Sequence, residues 1–377
     1  MTSRRLVIWI VALAAIAVGL YSAIRTTRDL TDFAVYRAAG ARLLEAAPLY
    51  RPEDGHFVFK YLPAFAFALA PFARLAPETA KAAWFLLSFG LLAGFVSASI
   101  RRLPERRRAI GTIATLTLLA TARLDIRELS LGQTNALLGA MLMASFIAAS
   151  RGARGTAGAL AGAATFVKPY AILLAPWLAA AAGLVALGAC AVAMLAGLAL
   201  PAVVYGWTGN LRELAGWLRT VTETTAPNLL LPENISFLSM WSKWLGAGPL
   251  ATGLAAATSV AMLLAAVIVF VARARVRAPA YLEFALLLLL IPLLSPQGWD
   301  YMLLLGTPAI ALALDRWHVL DRTLRLAAAA SLIVIGLPMR EVFGLSATVT
   351  MMMTGVVTMA AVVLAATLVR LRLQRAA

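Results

Sequence analysis

Residues 249–277 read PLATGLAAATSVAMLLAAVIVFVARARVR, and this stretch decides the fold class. No charged residue occurs in 249–272, and three arginines follow at positions 273, 275 and 277. About 20 consecutive apolar residues form a helix that crosses the ~30 Å hydrocarbon core of a bilayer, and clustered arginines mark its cytoplasmic end. The stretch therefore predicts a membrane-spanning helix that ends in the cytoplasm.

The composition of the whole chain extends this conclusion. Of 377 residues, 62% are hydrophobic and only 13% are charged, whereas a soluble domain is about half apolar and about a quarter charged. A soluble enzyme and a disordered chain are therefore excluded. The net charge of +16 comes from arginines in short runs between apolar blocks, not from a basic groove with stacking aromatics, so no nucleic-acid partner is expected. The single cysteine, Cys190, excludes an intramolecular disulfide.

Six arginine clusters divide the apolar blocks. They are Arg4/Arg5, Arg101–Arg108, Arg151/Arg154, Arg273–Arg277, Arg316–Arg325 and Arg370–Arg375. Placing all six in the cytoplasm predicts an all-α polytopic protein with both termini cytoplasmic and about twelve transmembrane helices. The predicted spans are 6–24, 80–100, 109–122, 131–149, three passes between Arg154 and Tyr205, 249–272, 280–294, 301–315, 324–338 and 345–368. The first is too long for a signal-peptide core and is interpreted as retained. Residues 1–377 are predicted to form one integral membrane domain.

Two longer segments, 25–79 and 206–246, fall on the extracytoplasmic side in this threading. In the first, apolar residues from Phe33 to Leu44 recur at helical spacing, which predicts a helix along the membrane surface with its apolar side in the headgroup boundary. Residues 61–75 are apolar but short and contain Pro63 and Pro71, so they are predicted to be re-entrant or interfacial. The second segment is rich in tryptophan, which is typical of an interface.

Several polar residues near the predicted outer ends have two interpretations each. Asp32 either caps the surface helix or serves as a general base at a membrane cavity. Lys168, beside the helix-breaking Pro169, either extends to the interface or binds a phosphate. The polar residues from Gln133 to Asn135 would at least form hydrogen bonds between helices.

Some functions need motifs that the chain lacks. No Walker loop, nucleotide fingerprint or His/Cys cluster occurs, so no cofactor and no metal are expected. A reaction would take its energy from an activated substrate or an ion gradient. A secondary transporter or flippase and a non-catalytic scaffold remain alternatives. A protease or O-acyltransferase is disfavoured because the two histidines, His56 and His318, fall on opposite sides.

An ordered series of short motifs resembles glycosyltransferase family 87. The series consists of Asp32-Phe33-Ala34-Val35-Tyr36, Leu43-Leu44, Pro48-Leu49-Tyr50, Phe59-Lys60-Tyr61-Leu62-Pro63, Pro71, Leu131-Gly132-Gln133-Thr134-Asn135, Gly158, Gly162, Val167-Lys168-Pro169, Asn234 with Ser236, Ser295-Pro296 and Trp299-Asp300. Each motif is weak alone, but their order and spacing together are moderately specific.

This resemblance implies a GT-C fold at the plasma membrane. Such enzymes transfer a sugar, here a hexose and first of all mannose, from a polyprenyl-phosphate donor to a lipid or glycan hydroxyl at the extracytoplasmic face, with inversion. The resemblance makes Asp32 the general base and Lys168 a partner of the donor phosphate, with Arg28 beside it. The expected substrate-binding residues are Tyr36, Lys60, Tyr61, Gln133, Asn135, Asn234, Trp299, Asp300 and Tyr301.

The chain departs from the family pattern at one point. Family members often place a histidine after the Trp-Asp pair, whereas this chain has Tyr301 and Met302. Any contribution of that histidine to donor-phosphate binding must be absent or supplied by Tyr301, Arg28 or His56.

Overall fold

The computed structural model describes residues 30–336 and 340–374, which contain fifteen α-helices and no β-strand. The helices are α1 (Thr31–Leu44), α2 (Phe65–Ala73), α3 (Pro77–Arg101), α4 (Ile110–Leu131), α5 (Asn135–Ser150), α6 (Arg154–Val167), α7 (Ala175–Ala199), α8 (Ala202–Asn228), α9 (Phe237–Leu245), α10 (Pro249–Val271), α11 (Ala280–Leu294), α12 (Thr307–Asp315), α13 (Arg322–Gly336), α14 (Arg340–Met353) and α15 (Val356–Leu373). Short 3-10 helices cover Pro52–Phe57, Pro169–Leu174, Ala272–Arg275, Asp300–Gly306 and Trp317–Val319.

The apolar helices confirm an all-α membrane protein. Four helical stretches are long and apolar enough to cross a bilayer: Pro77–Arg101, Pro169–Ala199, Pro249–Arg275 and Val356–Leu373. The pair α4 and α5 passes the same criteria together but bends by 115° between the two helices. The count of twelve spans remains a prediction, and its first span, 6–24, lies outside the described residues.

Four of the arginine clusters meet at one end of the molecule. Arg107, Arg275, Arg316 and Arg370, one from each of four clusters, line the same cavity. We call this the arginine end, defined by these four residues. Asp32 and Lys168 line a different cavity, which lies at the opposite end of α4, beside Arg127 and Leu131. The sequence predicted that these clusters share one side, and the structure brings them together.

The segment from Arg154 to Ala199 folds into three stretches that alternate in direction, whereas the three membrane passes expected there remain a prediction. A Cβ on Gly158 would lie 1.9 Å from the carbonyl oxygen of Ala186, and one on Gly162 would lie 2.5 Å from that of Cys190. The second contact lies four residues further along the chain in both helices, so α6 runs parallel to the second half of α7. The intervening stretch must therefore run the other way. Gly183 makes the reversal in the left-handed region, at φ 79°.

The helix α1 has the predicted extent, but its predicted environment is wrong. Its apolar side is buried in protein rather than in the headgroup boundary: Phe33 stacks on Trp84 at 5.1 Å between ring centroids and meets Phe72 edge-on at 5.8 Å. The helix α2, within the apolar run 61–75, folds back against α1 so closely that a Cβ on Gly40 would clash with the backbone of Leu69. Protein thus supplies the apolar partner that the sequence reading assigned to lipid.

Three predicted boundaries also need correction. The span 109–122 continues to Leu131, because charged residues of its last turns are paired inside the protein. The predicted span 345–368 is two helices, α14 and α15, which are separated where Gly355 adopts φ 72°. The predicted span 301–315 begins as a 3-10 helix, Asp300–Gly306, and becomes α-helical only at Thr307.

Candidate active site

A cavity of about 570 Å³ lies between α1, residues 56–61 and the C-terminal ends of α4 and α6. We call it the Asp32 cavity. The sequence-predicted residues that line it are Asp32, Tyr36, Lys60, Tyr61, Gln133, Lys168, Trp299 and Tyr301. Most of the predicted site residues therefore line one cavity, although they are far apart in the sequence.

A chain of hydrogen bonds fixes Asp32. The Gln133 side-chain amide donates to Asp32 Oδ2 at 2.5 Å, and its carbonyl oxygen accepts from the Tyr36 hydroxyl at 3.4 Å. The hydroxyls of Tyr36 and Tyr61 lie 2.6 Å apart, and Thr134 donates to Tyr61 at 3.2 Å. Since the single proton of Tyr36 goes to Gln133, Tyr61 is the donor to Tyr36. Every bond in the chain then points toward the carboxylate.

The backbone turn after α4 brings Gln133 to Asp32. Gly132 ends that helix in the left-handed conformation at φ 71°, and its carbonyl oxygen accepts a hydrogen bond from the Trp84 indole at 2.9 Å. An added Cβ at this position would lie 3.0 Å from Phe33 Cβ. A glycine is therefore needed both for the turn and for the close approach of α1.

Asp32 does not cap its helix, which removes the simpler explanation for its position. The N-cap is Leu30, with no side-chain cap, and Asp32 lies within the first turn. Burial raises the pKa of Asp32 above its usual value, while the Gln133 hydrogen bond and, more weakly, the charges of Lys168, Lys60 and His56 act to lower it. A carboxylate with this environment binds a proton more readily than an exposed one.

Three cationic side chains line the Asp32 cavity: Lys60, Lys168 and Arg127. Lys168 lies in the break between α6 and the 3-10 helix that starts at Pro169. Burial lowers the pKa of Lys60, and the nearby charge of Asp32 partly opposes this effect. The three cations and Asp32 together can bind an anion beside a carboxylate.

Arg127 is the cation that the sequence reading missed. It donates to Asp300 at 2.9 Å, and its guanidinium carbon lies 5.6 Å from the centroid of the Tyr301 ring. Tyr301 in turn stacks on Trp299, with 6.4 Å between ring centroids. The residues after the Trp-Asp pair therefore position an arginine at the cavity wall.

A comparison with protein-family models identifies the chain. The model of glycosyltransferase family 87 matches residues 59–296, more than half of the sequence. This chain belongs to glycosyltransferase family 87. It is a membrane-integral glycosyltransferase that acts on a sugar donor and an acceptor. Neither the search of curated proteins nor the search of solved structures gives a match.

The family match covers part of the glycosyltransferase's Asp32 cavity. Lys60, Gln133 and Lys168 lie inside the matched range, whereas Asp32 and Trp299 lie outside it. The role of Asp32 is therefore argued from its place in the cavity, its hydrogen bonds and the sequence motif around it.

Three predicted substrate-binding residues of the glycosyltransferase do not face the cavity. Asn135, Asn234 and Asp300 are each fully buried. Asn135 donates to Glu128 at 2.7 Å, and Asn234 donates to the carbonyl oxygens of Asn228 and Pro296 at 3.1 and 3.0 Å. A direct contact with substrate is corrected to a supporting role, because each of these side chains is buried away from the cavity lining and is bonded to protein groups.

Asp300 holds two arginines instead of lining the glycosyltransferase's cavity. Its Oδ2 forms ion pairs with Arg123, which is 3% exposed, and with Arg127. Its backbone N–H donates to the carbonyl oxygen of Glu233 at 2.8 Å, and the neighbouring Trp299 pairs with Asn234 in an isolated β-bridge. Asp300 therefore fixes Arg127 and Trp299, which do line the cavity.

One predicted site residue and several further cavity residues remain to be described. Arg28 lies outside the described residues, so its predicted role stays a prediction. Cavity residues that the sequence analysis did not name as ligands include Tyr170, Trp217, Glu233 and Gln297. His56, one of the three candidates to replace the family histidine, also lines the cavity. The motif from Leu131 to Asn135 predicted that Gln133 is a site residue. Nothing in the sequence indicated that Arg127, which precedes this motif, faces the cavity.

Proposed function

We propose that this glycosyltransferase moves a hexosyl unit, with mannose the first candidate, from a polyprenyl-phosphate sugar to a hydroxyl of a lipid or glycan acceptor. The observation that carries the proposal is the common cavity of Asp32 with Lys60, Lys168 and Arg127. A carboxylate for the acceptor and cations for the donor phosphate are the two groups that this reaction needs.

Asp32 is the general base in this mechanism. A sugar or lipid hydroxyl is a weak nucleophile, so its proton must leave as its oxygen bonds to the anomeric carbon. Gln133 occupies Asp32 Oδ2, which leaves Oδ1 to accept that proton. The pKa raised by burial makes the carboxylate a stronger base than an exposed aspartate, provided that it is ionised.

The cations stabilise the leaving group. As the bond from the anomeric carbon to the phosphate oxygen breaks, negative charge grows on the polyprenyl phosphate. Lys168 and Arg127 supply N–H donors to those oxygens, and donors positioned in this way stabilise the charge that develops in the transition state. Arg127, fixed by Asp300 and Tyr301, takes the place that a histidine after the Trp-Asp pair has in the family pattern.

The bond cleaved in the donor provides the energy for transfer. The mechanism therefore uses no cofactor and assigns no step to a metal ion. A single base suffices because the donor is already activated, in contrast to the paired carboxylates of glycosidases. Attack on the face opposite the phosphate inverts the anomeric configuration.

The membrane setting of the proposal follows the distribution of arginines. The arginine end faces the cytoplasm, with both termini, and the Asp32 cavity opens on the extracytoplasmic side of the plasma membrane. A polyprenyl donor is held in the bilayer, so its phosphate lies at the depth of the membrane surface, where Lys168 and Trp217 line the cavity.

The test uses the purified full-length protein and three radiolabelled donors. Polyprenyl-phosphate mannose, glucose and arabinose are each incubated with the protein and a lipid extract, and labelled acceptor is separated from donor. We expect label to move from one donor, mannose first. No transfer from any of the three would contradict the proposal and favour transport of a lipid-linked substrate.

A further inference from the structure

The second feature of interest lies at the arginine end, away from the Asp32 cavity. A cavity of about 1000 Å³ opens there among the ends of α10, α11, α12 and α15 and the loop after α3. We call it the arginine cavity. Its basic lining residues are Arg107, Arg275, Arg277, Arg316, Arg370 and Arg372. A space of this size is at the upper end of small-molecule sites, for which about 300–1,000 Å³ is usual.

Acidic partners inside the protein account for only some of these charges. Arg372 is buried and bonds to Glu283 at 3.0 Å, Arg316 lies 3.8 Å from Asp315, and Arg107 lies 4.0 Å from Glu105. The side chains of Arg275, Arg277 and Arg370 form no ion pair or hydrogen bond within residues 30–336 and 340–374. Glu105 is the one acidic residue that lines the cavity in that part of the chain.

The cavity also has an apolar side. Leu282 and Leu312, only 9% and 3% exposed, line it together with Val276 and Leu371. A site for a purely hydrophilic anion needs no such surface. Guanidinium groups beside aliphatic side chains match a phosphate headgroup joined to acyl chains, and basic pockets between membrane helices bind such headgroups.

We propose that the arginine cavity binds the phosphate headgroup of an anionic phospholipid. Arg275, Arg277 and Arg370 contact the phosphate, and the leucines contact the glycerol and first acyl carbons. The positive-inside rule alone requires the arginines to lie on one side of the membrane. It does not require them to line the same cavity. The Arg151/Arg154 pair illustrates this difference, because both residues are exposed and neither lines the cavity.

Native mass spectrometry of the full-length protein in detergent tests the proposal. Phosphatidylglycerol and phosphatidylcholine are titrated against the wild type, against Arg277→Gln/Arg370→Gln and against the control Arg151→Gln/Arg154→Gln. Each arginine near an anionic lipid surface contributes roughly a fivefold factor in affinity. We expect one phosphatidylglycerol to bind in preference to phosphatidylcholine. We expect the first double variant to weaken this binding by about 25-fold, while the control stays within about twofold of the wild type.

Two results would overturn the inference. Equal losses in both double variants, or equal binding of the two lipids, would mean that the arginines act through general charge alone. Displacement of phosphatidylglycerol by inorganic phosphate at matching concentration would assign the cavity to soluble phosphates instead of a lipid. Thermal unfolding of each variant checks that the substitutions, all at exposed arginines, leave the fold intact.

Discussion

The Gln133 side-chain amide donates to Asp32 at 2.5 Å while its carbonyl oxygen accepts from Tyr36. One side chain therefore joins the carboxylate on α1 to the hydrogen-bonded pair Tyr36 and Tyr61. This arrangement restrains the rotation of Asp32 and leaves one carboxylate oxygen for a ligand. It also makes the charge on Asp32 depend on a residue that lies 101 positions away in the sequence.

Gln133→Ala should change the pH dependence of transfer. The base works only when ionised, so kcat/KM falls as the pH drops through the pKa of Asp32, which burial raises. The Gln133 hydrogen bond opposes that rise, and its removal lets the pKa move further up. The acidic limb of the kcat/KM profile should therefore shift to higher pH. An acidic limb at the wild-type position would show that Gln133 does not control the base.

Lys168→Gln should reduce kcat/KM by about 10²–10³-fold, because a donor aimed at developing phosphate charge is lost. Lys81→Gln is a matched control, since Lys81 pairs with Glu78 on the surface of α3 and should stay near wild type. Lys168→Arg should recover part of the loss because it keeps the positive charge. Equal activity of Lys168→Gln and Lys81→Gln in the radiolabel assay would contradict the phosphate role.

Asp300→Asn should destabilise the protein far more than Asp32→Asn. The first change leaves Arg123, which is 3% exposed, without its carboxylate, and breaking a buried ion pair in this way costs about 3–5 kcal/mol. At Asp32 the ionised form is disfavoured by burial, so a neutral amide removes that penalty. Thermal unfolding in detergent should give a lower Tm for Asp300→Asn and an unchanged or higher Tm for Asp32→Asn. The reverse order would contradict the supporting role of Asp300.

Gly158→Ala should destabilise the packing of α6 on α7, whereas Gly155→Ala should not. A Cβ at Gly158 would meet the Ala186 carbonyl oxygen at 1.9 Å, but at Gly155 it meets nothing within 4 Å. In an open helical position, alanine is favoured over glycine by about 1 kcal/mol. Size-exclusion profiles and Tm values of the two variants should therefore move in opposite directions. Matching behaviour would argue against the parallel packing of α6 on α7.

The sequence predicted those features that depend on local pattern. Hydrophobic run length and arginine position predicted the helical membrane class and the common location of the arginine clusters. Helical spacing predicted α1, and eight of the predicted site residues line the Asp32 cavity. These features depend on neighbours in sequence, so they can be inferred without knowledge of tertiary contacts.

Tertiary pairing accounts for the errors. The predicted span ended before Arg123 and Arg127, but Asp300, which is 177 and 173 positions away, pairs with both arginines and allows α4 to continue. The apolar side of α1 was assigned to lipid because nothing in its own sequence shows that α2 covers it. Asn135 and Asn234 were predicted to bind substrate, but only the folded chain shows that both are buried and that their side-chain amides donate to protein groups.

The central claim is that Asp32 removes the acceptor proton, and a paired measurement of transfer and donor binding tests it most directly. The donor that is active in the radiolabel assay is used with the wild type, Asp32→Asn and the control Glu78→Gln, which changes an exposed carboxylate on α3. We expect Asp32→Asn to lose about 10²–10⁴-fold in transfer rate, to bind donor as the wild type does, and Glu78→Gln to remain active. Full transfer by Asp32→Asn would contradict the account.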